Sequence, residues 1–261
     1  MKKIGIPRGM LYYENLPYWK DYLEGIGLEV VLSKKTNKDI MNSGILTSVD
    51  EACLPVKILH GHVDYLKDKV DYIYLPKVIS LYKREYCCPK ILGLPDMVKN
   101  SIEGLPKVID VMFDLDKRGG LEKGYRDLGS RLGASSKSSF ISYKNAIDKG
   151  DKYKTWLESE LLPYKYIFNE GKANILVLGH NYNVFDEFIN MGILSKLVEK
   201  NINIFTAEHV SHEEIRKHSS YSKKRLFWTH GRRLVGAANY YILNKKIDGI
   251  IFLSSFGCGL D

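Results

Sequence analysis

Cysteine thiols are the side chains of this sequence best suited to bind a soft metal, and four of them lie at three separate places. Cys53 stands two residues before a proline, which favours the first turn of a helix, so this thiol is predicted at a helix N-terminus. Cys87 and Cys88 follow predicted strands, and Cys258 lies between two glycines after the last predicted strand. Ligands of open α/β sheets gather beyond the carboxyl ends of the strands. The sequence therefore predicts that thiols from distant segments share one site.

Two kinds of metal centre suit such a thiol set, and one further interpretation needs no metal. Thiolates from distant segments favour an iron–sulfur cluster or zinc, while the absence of a Cys-x-x-Cys pair argues against the common zinc ribbons. A helix N-terminus also lowers the pKa of a thiol. A cysteine is, however, often only a small buried residue, and spacing alone leaves that alternative open. Cys87 is predicted to point away from its neighbour Cys88, which makes it a reserve ligand.

Polar residues near predicted strand ends are candidates for a substrate pocket. An arginine after the first strand could hold an anionic group, or instead cap a helix or pair with Glu14. A histidine seven residues after Cys53 could donate to a cluster or a substrate, or be an ordinary buried histidine. Two amides and a phenol after the strand at residues 174–178 either position a carbonyl group or build a turn. The candidates are Arg8, His60, Asn181, Tyr182 and Asn183.

Several classes of enzyme lack the motifs that they would need. No Gly-rich phosphate loop followed by Lys and Ser or Thr is present, so the chain is not expected to be an ATPase. No Gly-x-Ser-x-Gly elbow supports serine hydrolysis. His212 and His218 do not have the spacing of the His-Glu-x-x-His zinc motif, which excludes that class of protease.

The strongest basic cluster occupies residues 223–228 and continues with Arg232 and Arg233. Its interleaved aromatic residues would suit nucleic acid, but a solvated helix face with the aromatic side chains packed inward is the simpler interpretation. Docking of an acidic redox partner or of coenzyme A phosphates is a third interpretation. Nucleic acid is therefore not expected as a partner.

Length and composition describe a folded protein with an excess of positive charge. The 261 residues are 44% hydrophobic and 27% charged, and the formal net charge is +8. A chain of this length buries a core without disulfides, and the charge favours an anionic partner. No secretory signal follows the N-terminal lysines, and no apolar run approaches the roughly 20 residues of a membrane helix. We expect a cytoplasmic protein that makes no membrane contact and whose cysteines are thiols or metal ligands.

Hydrophobic periodicity predicts an α/β protein with two doubly wound parallel-sheet domains. The first domain is predicted at residues 1–113, a helical insert or bridge at 114–172, and the second domain at 173–261. Within the second, residues 185–198 are predicted to form one helix. Because few residues follow the last predicted strand, we expect this domain to be C-terminally incomplete or covered by a partner in a homo- or heterodimer.

Short motifs spread over nearly the whole chain carry a family resemblance. In the first half of the chain they are KIGIPR from residue 3, LYY from 11, DEACLPVK from 50, HGH from 60, CPK from 88 and GLPD from 93. In the second half they are GHNYN from residue 179 and SSFGCG from 254. In these motifs the chain resembles the uncharacterised family related to acyl-CoA dehydratase activases (DUF2229-like). That family is similar to the iron–sulfur subunits of 2-hydroxyacyl-CoA dehydratases and to double-cubane cluster proteins.

The resemblance implies a fold and a set of metal ligands. It implies two flavodoxin-like domains joined by a helical bridge, with a cluster held in the cleft by cysteines of both domains. Carried over motif by motif, the implied ligands are Cys53, Cys88 and Cys258. The four cysteines are too few for a double-cubane cluster, so a single [4Fe–4S] cluster with one open iron is expected.

A function follows from the same resemblance. In the dehydratases an ATP-hydrolysing activase passes an electron to the cluster, which passes it to a thioester substrate. We therefore expect an iron–sulfur component of such a reductive system, with a CoA thioester or another small molecule as substrate and an activase or other redox protein as partner. The alternative is a non-catalytic cluster- or zinc-binding scaffold, or an electron-transfer module, that regulates a partner. A third hypothesis is a small-molecule binding protein whose cysteines are incidental.

Overall fold

The computed structural model describes residues 1–159, 171–221, 226–244 and 246–258. The chain divides into two compact units, one of Met1–Asp151 with Phe256–Cys258 and the other containing Lys152–Ser255. Both units mix helices with parallel strands, which confirms the predicted α/β class. The flavodoxin-like arrangement and the domain boundaries at residues 113 and 172 stay predictions.

The first unit begins with a parallel β-α-β motif, as the sequence predicts. Strand β1 (Lys3–Ile6) buries all but its first residue, and β2 (Glu29–Leu32) pairs with it in parallel. Helix α1 (Tyr12–Gly25) joins them and buries Trp19 and the residues near it on one face. The chain then turns into β2 through Gly27, whose φ of +91° lies in the left-handed region that glycine tolerates best.

Two sheets complete the first unit. The further elements that begin there are α2 (Lys38–Leu46), α3 (Leu54–Leu66), β3 (Tyr72–Tyr74), β4 (Lys77–Tyr82), β5 (Glu85–Tyr86), α4 (Pro89–Ser101), β6 (Lys107–Ile109), β7 (Met112–Asp114), α5 (Gly120–Arg131) and α6 (Ser136–Ser159). The main sheet is parallel, in the order β2-β1-β3-β6. A smaller sheet has the order β5-β4-β7, in which β4 is antiparallel to β5 and parallel to β7.

Helices α2 and α3 pack with their backbones in direct contact. Gly44 and Gly61 are both buried, and a methyl group on Gly44 would overlap the carbonyl oxygen of Lys57. A methyl group on Gly61 would likewise overlap the carbonyl oxygen of Ile40. Only glycine permits the two helix backbones to come this close. Gly44 and Gly61 therefore fix the position of α3 and of Cys53, which precedes it.

Helix α6 has 24 residues, many of them Lys and Ser. Its middle is tied to α1, since the Tyr18 hydroxyl donates to Asp151 at 3.1 Å and Lys149 pairs with Asp21 at 3.2 Å. Among the helices in the described ranges, none combines the length and the apolar character needed to cross a membrane.

The second unit is built on a three-stranded parallel sheet. Its elements are β8 (Asn174–Gly179), α7 (Asn181–Phe185), α8 (Ile193–Glu199), β9 (Asn203–Phe205), a 3₁₀ turn (Ala207–His209), α9 (His212–Ser219), α10 (Thr229–Leu243) and β10 (Gly249–Leu253). The strand order is β10-β8-β9. Leu176 and Leu178 face one apolar cluster and Val177 faces another, so both faces of β8 are covered.

The single helix predicted over residues 185–198 is wrong. The structure has two short helices, α7 and α8, with a turn between them. Asp186 builds this turn by accepting the backbone N–H of Phe188 at 2.9 Å and of Ile189 at 3.1 Å. Met191 and Gly192 then adopt φ values of +55° and +68°, which no helix accommodates.

Candidate functional site

Cys53 lies at the N-terminus of α3, as predicted. Its backbone is extended, with φ of −66° and ψ of 154°, and Pro55 occupies the first turn of the helix. The Cys53 carbonyl accepts the N–H groups of Val56 and Lys57 at 3.0 and 3.2 Å, whereas its side chain makes no cap hydrogen bond. The backbone therefore closes the helix end, and the buried thiol is left for another role.

Cys88 occupies the matching position at the N-terminus of α4. It is the N-cap residue before Pro89, and its carbonyl accepts the N–H of Ile91 at 2.9 Å. Its side chain makes no cap hydrogen bond and is partly exposed. Two of the three predicted thiols thus stand at helix N-termini, where the helix dipole stabilises a thiolate.

The third predicted thiol belongs to a loop that lies against the start of α3. Phe256 accepts the backbone N–H of Leu54 at 3.4 Å. Gly257 has a φ of +78°, and a methyl group there would lie 3.5 Å from the Cα of Cys53. Cys258 comes next and is partly exposed. By packing it belongs to the first unit, although in sequence it follows the last strand of the second.

The Cys53 thiol interacts electrostatically with Cys88 and Lys90. Burial raises the pKa of the Cys53 thiol, and negative charge on Cys88 raises it further. The Val56 N–H and the Lys90 ammonium act in the opposite direction. Lys90 Nζ also donates to the carbonyl of Glu51 at 3.3 Å. Sequence reasoning did not single out this lysine, although its place two residues after Cys88 at a helix start was a usable signal.

The donor set suits a soft metal or a cluster in its chemistry. Three chain segments approach the start of α3, since Lys90 Nζ donates to the Glu51 carbonyl and the Phe256 carbonyl accepts the N–H of Leu54. Thiolate sulfur is a ligand that soft metals prefer. No disulfide joins the four cysteines. Within the described residues, however, no three His, Cys, Asp or Glu side chains already surround a single point as a metal site. A metal site formed by these thiols therefore stays a prediction.

Cys87 differs from its neighbour in every respect that matters for binding. Its backbone N–H donates to Ile79 at 2.9 Å, which ties the residue to β4, and its side chain is buried. Burial, with smaller contributions from Glu14 and Cys88, raises the pKa of the Cys87 thiol to about 12. Burial and the contact with β4 hold this side chain away from solvent, and its place as the reserve ligand stays a prediction.

Arg8 and His60 are both held by hydrogen bonds within the first unit. Arg8 Nε donates to the Ser33 carbonyl at 2.6 Å, and its guanidinium lies 5.6 Å from the Tyr12 ring centroid. His60 Nδ1 lies 2.8 Å from the Thr47 carbonyl, and burial lowers the pKa of this imidazole. These contacts give both residues structural partners, and a role in substrate binding stays a prediction for each.

Asn181, Tyr182 and Asn183 form α7 of the second unit, and all three are buried. Asn183 donates to the carbonyl of Leu253 at 3.4 Å and accepts the hydroxyl of Ser255. The Tyr182 ring stacks on His180 with centroids 5.1 Å apart. The three residues therefore build a polar cluster at the carboxyl ends of β8 and β10.

The basic cluster predicted at residues 223–228 lies in part outside the described residues, which omit 222–225. Its two later arginines have partners within the second unit. Arg232 Nε donates to Ser219 Oγ at 2.9 Å, and Arg233 pairs with Glu208. These partners agree with a structural use of both side chains.

A family match covers most of this chain. Residues 3–210 match the CoA enzyme activase uncharacterised domain (DUF2229). The chain belongs to this family. The match includes Cys53, Cys87 and Cys88, and it ends before Cys258. A comparison with curated proteins found no match. Membership of this activase-related family fits a 2-hydroxyacyl-CoA dehydratase-like system and suggests a partner that depends on ATP.

Proposed function

We propose that this chain is the iron–sulfur cluster-binding component of an ATP-dependent reductive system that resembles 2-hydroxyacyl-CoA dehydratase. The observation that carries the proposal is the meeting of three distant cysteine segments beside the N-termini of α3 and α4. The activase-related family supports it, because such a domain suggests a partner that depends on ATP. The proposed ligands are Cys53, Cys88 and Cys258, and the cofactor is one [4Fe–4S] cluster.

The surroundings of Cys53 favour a metal-bound thiolate over a free one. Burial raises the pKa of this thiol, so without a metal it keeps its proton near neutral pH. A metal would displace that proton, and the Val56 N–H together with Lys90 would then stabilise the sulfur anion. Loading of the site is therefore expected to be more favourable at higher pH.

The different solvent exposure of the three thiols would let a bound cluster contact a substrate and a redox partner. Cys53 is buried, whereas Cys88 and Cys258 are partly exposed, so one side of the site faces solvent. A bound cluster with three protein ligands would supply a low-potential electron and an iron able to act as a Lewis acid. The substrate class proposed for that position is a CoA thioester or another small electrophile.

The test is the content of iron and acid-labile sulfide per chain in protein prepared without oxygen. We expect about four of each in the native chain, since a [4Fe–4S] cluster contains four of both. Cys53→Ser, Cys88→Ser and Cys258→Ser should each lose most of both elements. Cys87→Ser is the matched control, because it removes a thiol next to Cys88 and should keep the cluster.

Two other results would overturn the proposal. Absence of iron in the native chain after anaerobic reconstitution would remove the redox function altogether. Retention of zinc without sulfide, lost in the same three variants, would favour the non-catalytic zinc scaffold. With a cluster in place, electron transfer from an ATP-hydrolysing partner to the chain is the next quantity to measure.

A further inference from the structure

We propose that a basic groove in the first unit binds the phosphate groups of a small-molecule ligand. The groove lies among β7, α5 and the start of α6 and has a volume of about 810 Å³. None of the four cysteines lines it. The proposal is therefore independent of the cluster and adds a second site to the chain.

Charge in the groove is one-sided. Four cations line it, namely Lys117, Arg118, Lys123 and Arg126, against the two carboxylates of Asp114 and Asp127. Both carboxylates already have partners. Asp114 pairs with Lys117 at 3.3 Å, and Asp127 pairs with Arg131 Nε at 3.1 Å.

Three cations consequently remain without a counter-charge. Within the described ranges, Arg118, Lys123 and Arg126 make no ion pair, and all three side chains are exposed. Like charges around a concave surface focus a positive potential into it. An anion bound there would relieve this repulsion.

Phosphate is the anion that best fits these donors. Arginine presents a planar fork that binds phosphate oxygens in pairs, and lysine adds a point charge. The hydroxyl groups of Ser130 and Ser136 also line the groove and are able to donate to further oxygens. Met112, 52% exposed, gives an apolar surface beside the cations for the uncharged part of a ligand.

Size and shape favour a small molecule over a macromolecule. Small-molecule sites usually occupy about 300–1,000 Å³, and this groove lies within that range. Single-stranded nucleic acid would need aromatic platforms for base stacking, and no aromatic residue is among those that line the groove. Nucleotides and coenzyme A share the diphosphate group, which is the chemistry that we propose the groove recognises.

The test is isothermal titration calorimetry, which measures the dissociation constants of pyrophosphate, ATP and coenzyme A for the full chain. We expect the triple variant Arg118→Gln/Lys123→Gln/Arg126→Gln to weaken binding by at least about tenfold, since charge-assisted hydrogen bonds are the strong ones. The control Lys38→Gln/Lys107→Gln/Lys172→Gln removes three exposed positive charges elsewhere and should bind as the native chain does. Circular dichroism checks that both variants are folded.

Comparison of the probes identifies the source of the phosphate. Tighter binding of coenzyme A than of ATP would indicate a CoA ligand, and the reverse order would indicate a nucleotide. The variant Cys53→Ser/Cys88→Ser/Cys258→Ser should bind the same probe with unchanged affinity. Failure of the cluster proposal and failure of the groove proposal are thereby distinguishable.

Three outcomes would overturn the inference. The first is no binding of any phosphate probe by the native chain. The second is equal weakening in the groove variant and in the control, which would mean attraction by overall charge. The third is groove-dependent binding of polyglutamate without binding of the three phosphate probes, which would indicate an acidic protein partner.

Discussion

The two units place different chemistry at the ends of their helices and strands. In the first unit, Cys53 and Cys88 cap helices with their backbone carbonyls, and their side chains take no part in the caps. In the second unit, Asn183 and Ser255 hydrogen bond to each other, and Tyr182 stacks on a histidine. Thiols are presented in the first, while polar groups bind one another in the second.

Under the cluster proposal the first unit holds the ligand site, while a pocket role for Asn181, Tyr182 and Asn183 stays a prediction. Buried polar groups that satisfy each other stabilise a turn and leave little capacity for a ligand. Thiols placed by backbone contacts keep their capacity for a metal, at the cost of a raised pKa for Cys53 when no metal is bound. The two regions should therefore respond differently to mutation.

Gly44→Ala should cause the largest loss of stability, because it disrupts the contact between α2 and α3 that positions Cys53. Its new methyl group would overlap the carbonyl of Lys57 and push α2 away from α3. We expect a loss of about 3 kcal/mol in the free energy of unfolding, at the upper end for overpacking. Denaturant titration measures that loss, and iron content should fall with it.

Gly93→Ala is the matched control in α4. A methyl group there would have no atom within 4 Å. Alanine is the better helix former, so this variant should gain about 0.5–1 kcal/mol. Native stability in Gly44→Ala would contradict the close contact between α2 and α3.

Asn183→Ala tests the second unit. Removal of this amide breaks the hydrogen bonds to the Leu253 carbonyl and the Ser255 hydroxyl. We expect a loss of about 2 kcal/mol in the free energy of unfolding, since the loss of one partner of a buried hydrogen bond is costly. Iron content per folded chain should not change.

Asn100→Ala is a suitable control for that variant. Its amide donates to the Asp96 carbonyl at 2.7 Å but is exposed to solvent. The expected change lies within about 0.5 kcal/mol. If Asn183→Ala instead kept its stability and lost iron, the second unit would contribute to the cluster site, and the contrast between the units would fail.

Local sequence signals predicted the elements that carry the site. Periodicity located β1, α1 and β2, and a proline marked the helix start after Cys53. The turn that interrupts residues 185–198 was missed, because apolar spacing does not reveal the positive φ of Met191 and Gly192. Periodicity detects amphipathic faces but not the backbone angles that end a helix.

Long-range contacts were beyond the reach of those signals. The hydrogen bond from Leu54 to Phe256 joins residues that are about 200 positions apart in sequence, and no local pattern encodes it. The basic groove also depends on long-range packing. In the sequence its residues form a polar stretch, and only the packing of β7, α5 and α6 brings them together. Side-chain types could be read from the sequence, whereas their meeting depended on the tertiary fold.

The smallest expected effect is the change in the free energy of unfolding as the pH falls. Burial, with smaller contributions from Arg8 and Lys34, lowers the pKa of His62 from 6.5 to about 3. Between these values the unfolded chain binds a proton that the folded chain does not. Stability should therefore fall as pH falls below 6.5, by about 1 kcal/mol over the first pH unit.

His62→Gln should reduce the slope by the His62 contribution while keeping a donor for Thr36, whose hydroxyl lies 2.9 Å from His62 Nε2. The counterpart in the second unit is His209, whose pKa burial lowers only to about 4. Replacement of His209 should reduce the pH dependence of the free energy of unfolding over a narrower range, from pH 6.5 to about 4. Denaturant titrations at several pH values measure both slopes. An unchanged slope in His62→Gln would mean that this histidine is already charged when folded, and the first unit would then tolerate a buried positive charge.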